Sequence, residues 1–151
     1  MNDSQLNAGL QAILARMRWH AWPERFVVAG LEPRERLLAL RLLPGVAGTF
    51  AQLVVEPDML TLVLAEHDWR TLSPAFPHAR IQRPYRMISF DLDLPPDLVG
   101  FLAAITGALA SAGVPLLAIC GYARDYVLVR EEDLDAALAA IGALVRAHQS
   151  P

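Results

Sequence analysis

The chain has 151 residues, 54% of them hydrophobic and 19% charged, with a net charge of −3 and a mean hydropathy of +0.33. All 13 basic residues are arginine, and no basic cluster interleaves with aromatic residues, which excludes the electrostatic footprint of a nucleic-acid binder. The apolar runs break at Asp, Arg, Gly or Pro before the roughly 18 residues a membrane span needs, so the excess apolar surface reads as a dense core plus a partner interface.

One cysteine, Cys120, excludes an internal disulfide and a thiolate metal cluster. The first residues lack the basic-then-apolar pattern of a secretory signal, so a cytoplasmic location is the expectation. Residues 1–83 hold 9 Arg against 8 acids, whereas 84–151 hold 4 Arg against 8 acids. That acidic second half favours a cationic or zwitterionic ligand over a phosphate.

Leu6, Leu10, Ile13, Leu14 and Met17 recur at helical spacing, with Asp3 or Ser4 as cap and Trp19, Trp22 and Pro23 as the stop. This amphipathic helix, residues 1–22, is expected to lie over an apolar surface or contact a partner. Residues 26–29 form a short strand. Residues 37–43 fit strand or helix by period, and their brevity favours strand. Residues 50–55 and 59–65 flank a Glu-Pro-Asp turn and predict a hairpin. Residues 66–82 are polar, carry Pro74 and Pro77, and are expected to be a surface loop.

From residue 85 the pattern sharpens. Residues 85–94 predict a half-buried strand with Phe90, Leu92 and Leu94 inward. Asp97 caps a helix to about Ala112, and Gly113 ends it. Residues 114–120 predict a near-continuous apolar strand in which Cys120 is a buried, inert thiol. Residues 126–129 return antiparallel to it. Glu131, Glu132 and Asp133 then open a final helix whose buried stripe is Leu134, Leu138, Ile141, Leu144 and Val145.

This β-α-β-β-α order is a ferredoxin-like unit lacking its last strand. A first-half strand, near Phe26 or within 37–43, is expected to fill the open edge. The division read from the sequence is a helix (1–22), a strand-rich partial half (23–83) and a complete unit (84–151), with the halves interlocked.

Candidate chemistry gathers at two turns. Gly100, near the start of the first helix of 84–151, either opens the backbone amides to a ligand carboxylate or permits tight helix packing. In the run Gly121-Tyr122-Ala123-Arg124-Asp125, Asp125 can pair with a ligand amine while Tyr122 packs on its stem. Asp125 can equally satisfy turn backbone groups. Arg124 reads as solvated or paired with an acid. Asp91 and Asp93 share a strand face, as solvated alternation requires. His20, His67, His78 and His148 have no metal-ligand spacing. No catalytic triad, phosphate loop, metal motif or cofactor motif is present, so the chain reads as non-catalytic.

The second half resembles the ACT domain, a small-molecule regulatory module. It is similar in particular to the paired ACT proteins that include the CASTOR-type arginine sensors and small bacterial relatives. The likeness rests on Gly100 and on Ile119-Cys120-Gly121-Tyr122-Ala123-Arg124-Asp125-Tyr126-Val127-Leu128-Val129-Arg130-Glu131-Glu132-Asp133. Residues 42–45 and the hairpin 50–65 extend it into the first half.

The resemblance implies an α+β, ferredoxin-like ACT fold and an amino-acid ligand held by Gly100, Gly121, Tyr122 and Asp125. It also implies a homodimer and a regulated protein partner. Cys120-Gly121 replaces the family's Ser-Thr, and Ala123-Arg124 replaces its Asp-Thr, so the ligand can differ from arginine. The alternative is a structural or interaction module with a vestigial site, using the first helix and the Trp19/Trp22 patch.

Overall fold

The computed structural model describes residues 3–46, 48, 50–92 and 98–149. The chain forms two compact units: unit 1 is Met1–Trp22 with Arg86–Pro151, and unit 2 is Pro23–Tyr85. Their boundaries fall inside strands β1 (Trp19–Leu31) and β4 (Arg80–Phe90).

Unit 1 begins with helix α1 (Asp3–Arg16). It continues with the first residues of β1, the end of β4, helix α4 (Phe101–Ser111), strands β5 (Leu116–Cys120) and β6 (Asp125–Arg130), and helix α5 (Leu134–Gln149). Its strands are ordered β1-β4-β6-β5. The start of β1 therefore supplies the fourth strand that the sequence left open. The strand is the expected one, but it starts at Trp19, well before Phe26. The tryptophans expected to end the first helix open this strand instead, and the helix stops at Arg16. Bulky rings suit the pleated surface of a strand better than a helix end.

The core of unit 1 lies between one sheet face and the helices. Ile88, Phe90, Val127 and Val129 meet Leu14, Met17, Phe101, Ile105, Leu109 and Ile141. The helical stripe of α1 packs along α5. Phe90 is fully buried, with Phe101 edge-on at 5.6 Å. Ser89 points to the opposite face and is also buried; its Oγ accepts a 3.1 Å hydrogen bond from Trp22 Nε1. Trp22 also lies edge-on to Tyr126, and Trp19 packs against the core. Both indoles are thus committed to unit 1's own packing and do not form the exposed patch expected of them.

Two further readings change here. β5 is the outer strand of unit 1, and only Ile119 in it is buried. Cys120 is consequently exposed, because an edge strand has a helix-side face but no second layer over its other face. The strand of 85–94 is described only to Phe90, and the inward placement of Leu94, like Asp93 and the Asp97 cap, falls outside the described residues. Leu92 is half-buried against the core as expected.

Unit 2 contains the rest of β1, helix α2 (Arg36–Leu42), strands β2 (Ala51–Val55) and β3 (Leu60–Ala65), helix α3 (Glu66–Leu72), and the start of β4. Its strand order is β2-β3-β1-β4. The hairpin is as expected, with Leu60 opposite Val55 and Leu64 opposite Ala51. β1 pairs antiparallel with β3, Phe26 opposite Ala65 and Leu31 opposite Leu60.

Residues 37–43 are helical, not strand. Pro33 pre-sets the turn before them, and a reciprocal capping box between Glu32 and Glu35 fixes the entry. The segment 66–82 is likewise no simple loop. Trp69, Leu72 and Phe76 fall on one helical stripe and are buried, with Trp69 and Phe76 stacked at 6.3 Å. Pro74 sits within a 3₁₀ turn (Ser73–Ala75) that follows α3. Proline there marks where the α-helix tightens, not where structure stops.

Candidate functional site

All four residues singled out from the sequence line one cavity in unit 1. Its volume is about 340 Å³, and Gly100, Phe101, Gly121, Tyr122 and Asp125 are among its walls. Leu98, Leu102, Ala103, Ala123 and Arg124 complete the lining. Two elements converge there: the first turn of α4 and the β5–β6 turn.

On the α4 side, Gly100 is the N-cap, with φ of 94° and no side-chain cap bond. That left-handed backbone favours glycine. Its carbonyl accepts from Ala104 N at 2.9 Å, which starts the helix. The amides of Phe101, Leu102 and Ala103 have no acceptor within the helix and carry the positive end of its dipole. All three residues line the cavity, so its helix side carries partial positive charge that favours an anion. These are the backbone donors that the glycine before this helix points to in the sequence.

On the turn side, Gly121 N–H donates to Arg124 O at 2.8 Å and closes the loop. A Cβ on Gly121 would meet that same carbonyl oxygen at 3.0 Å, so glycine here serves the tight turn. Asp125 is half-buried and sits opposite Cys120 in the β5–β6 register. Tyr122 lines the cavity and is otherwise fully exposed. Arg124 pairs with Asp91 at 3.9 Å, both side chains about half exposed, which makes the bond a weak one. The site therefore has donors on one wall, a carboxylate on the other, and an arginine at the rim.

The Cys120 thiol is pushed up from its ordinary pKa, first by partial burial and then by a hydrogen bond to Asp125 and that carboxylate's charge. A raised thiol pKa means less thiolate at neutral pH, so an exposed cysteine here is a sluggish nucleophile. Cys120 is expected to react with iodoacetamide at pH 8 more slowly than a free thiol, gaining as pH rises. Asp125→Ala removes the two smaller causes and should speed the reaction ~2–5-fold. An unchanged rate in that variant would show that the carboxylate does not govern the thiol.

Elsewhere, His20 stacks edge-on with Trp22, and His148 Nδ1 lies 2.8 Å from Leu144 O. His67 and His78 are exposed. Among the described residues, no group of His, Cys, Asp and Glu is placed to hold a metal ion. No helix among them is long and apolar enough to cross a membrane.

These elements form an α+β, ferredoxin-like ACT fold. Residues 80–142 match the family model of the ACT domain. Solved structures share the fold. One is a Vibrio cholerae protein of unknown function, described as a possible transport protein, with 23% identity and a TM-score of 0.71 over 91% of this chain and 97% of that one. Another is an Agrobacterium tumefaciens protein at 18% identity and TM-score 0.70, covering 86% of this chain and 90% of that one. A third is the ligand-free regulatory subunit of aspartate kinase from Thermus thermophilus, at 15% identity and TM-score 0.62 over 83% and 95%. No curated protein matches the sequence.

Proposed function

We propose that this protein is a non-catalytic regulatory module of ACT type that binds a free amino acid in the unit 1 cavity. The observation that carries the reading is the convergence of the open amides of α4 and the carboxylate of Asp125 on one small cavity. An α-amino acid is a zwitterion whose two charges match those two walls: carboxylate to the amides, ammonium to Asp125. Gly100, Gly121, Tyr122 and Asp125 are its binding residues.

The motif likeness to CASTOR-type arginine sensors supports the ligand class, whereas Arg124 at the rim disfavours a cationic side chain. A small or uncharged amino acid fits better. The protein acts as a cytoplasmic homodimer whose ligand changes what a regulated partner meets.

A thermal-denaturation series with each of the twenty amino acids at millimolar concentration tests this. A ligand present at a hundred times its Kd adds about 2.7 kcal/mol, so at least one amino acid should raise Tm by several degrees. Asp125→Ala should abolish that rise. If no amino acid shifts Tm, the vestigial-site reading replaces this one.

A further inference from the structure

Helix α2 in unit 2 is unusual in what it leaves uncovered. Only Ala39 of its seven residues is buried, with Leu42 packed partly against the unit 2 core. Leu37 is 79% exposed, Leu40 46% and Leu38 38%. Covering such side chains is favourable in proportion to the apolar area removed from water. An apolar group of this kind on a charged surface marks a contact site.

The charges around it say what it contacts. Arg36 and Arg41 flank the leucines, both exposed, and neither has an ion-pair partner among the described residues. The nearby acids are already engaged: Glu32 pairs with Arg34, and Glu35 Oε2 accepts from Glu32 N at 2.8 Å. The surface is therefore apolar at its centre and cationic at its flanks.

We propose that α2 is a docking surface for an acidic amphipathic helix of a partner protein, whether or not the unit 1 cavity binds an amino acid. The partner's apolar stripe would cover Leu37 and Leu40, which lie side by side between the arginines on the helix surface, and its carboxylates would meet Arg36 and Arg41. A second copy of this chain fits less well, because a two-fold contact through this face would set each arginine pair against its own kind. A bilayer also fits less well, since two arginines are fewer than the roughly four to eight basic residues that anionic membrane surfaces recruit.

Fluorescence anisotropy of a labelled amphipathic helical peptide, leucines on one face and glutamates beside them, provides the test. The full-length protein should bind this probe in preference to the same peptide with lysines for glutamates. Leu37→Asp should weaken binding about tenfold or more. The double variant Arg36→Glu/Arg41→Glu should invert the preference toward the lysine peptide, with circular dichroism confirming that both variants are folded. Equal binding of the two peptides, or no inversion, overturns the proposal. So does tighter association with phosphatidylserine vesicles than with the peptide, or a dimer that dissociates in Leu37→Asp.

Discussion

Phe90→Ala is expected to reduce the unfolding free energy of unit 1 by about 3–5 kcal/mol. Phe90 is at 0% exposure and lies edge-on to Phe101 at 5.6 Å, so truncation removes both its burial and an aromatic pair. Its neighbours are also fixed. Ile105 and Ile141 are fully buried on helices whose backbones cannot close the void. Urea unfolding followed by amide exchange of residues in β6 and α5 reports on unit 1 directly. For contrast, Ile105→Val removes one methyl group and should cost about 0.5–1.5 kcal/mol. A Phe90→Ala loss no larger than that of Ile105→Val would mean that the ring does not anchor this core.

Gly100→Ala should have the second-largest effect, and it acts at the candidate site. At φ of 94° an L side chain is strained, and an ideal Cβ would stand 3.1 Å from Leu10 Cδ2 on α1. The backbone term alone costs about 1–2 kcal/mol. Leu10 can give way by a rotamer change, so the strain should dominate the crowding. The variant should unfold earlier in urea and lose any amino-acid-dependent rise in Tm, because the start of α4 must shift to relieve the strain. A variant of unchanged stability would be incompatible with the left-handed cap.

The parts of the chain that could be read from its residues share one property: their pattern runs long enough to fix a period. The stripe of α5 and the hairpin of β2 and β3 are of this kind. Helix α2 is seven residues, two turns, in which five apolar side chains hide the period entirely. In 66–82 the prolines drew attention from Trp69, Leu72 and Phe76, although their three- and four-residue steps spell a helical face. Cys120 misled because an apolar run says nothing about whether its strand is central or outermost. At the site, the turn residues were visible as single letters, and the structure brings Gly100 to the same cavity as Gly121, Tyr122 and Asp125. The amides of Phe101, Leu102 and Ala103 carry no letter of their own, and Gly100 at the helix start is what points to them.

Unit 1 is discontinuous in the chain, with all of unit 2 between its two segments. During synthesis, residues 23–85 emerge as a complete set and can fold while the ribosome is still translating. Helix α1 cannot do the same. Leu14 and Met17, buried in the finished protein, share a core with Ile88 and Phe90, made about 70 residues later, and with α5, made later still. For that interval the apolar side chains of α1 lack their final partners, and it is there that a chaperone would be expected to hold the nascent protein.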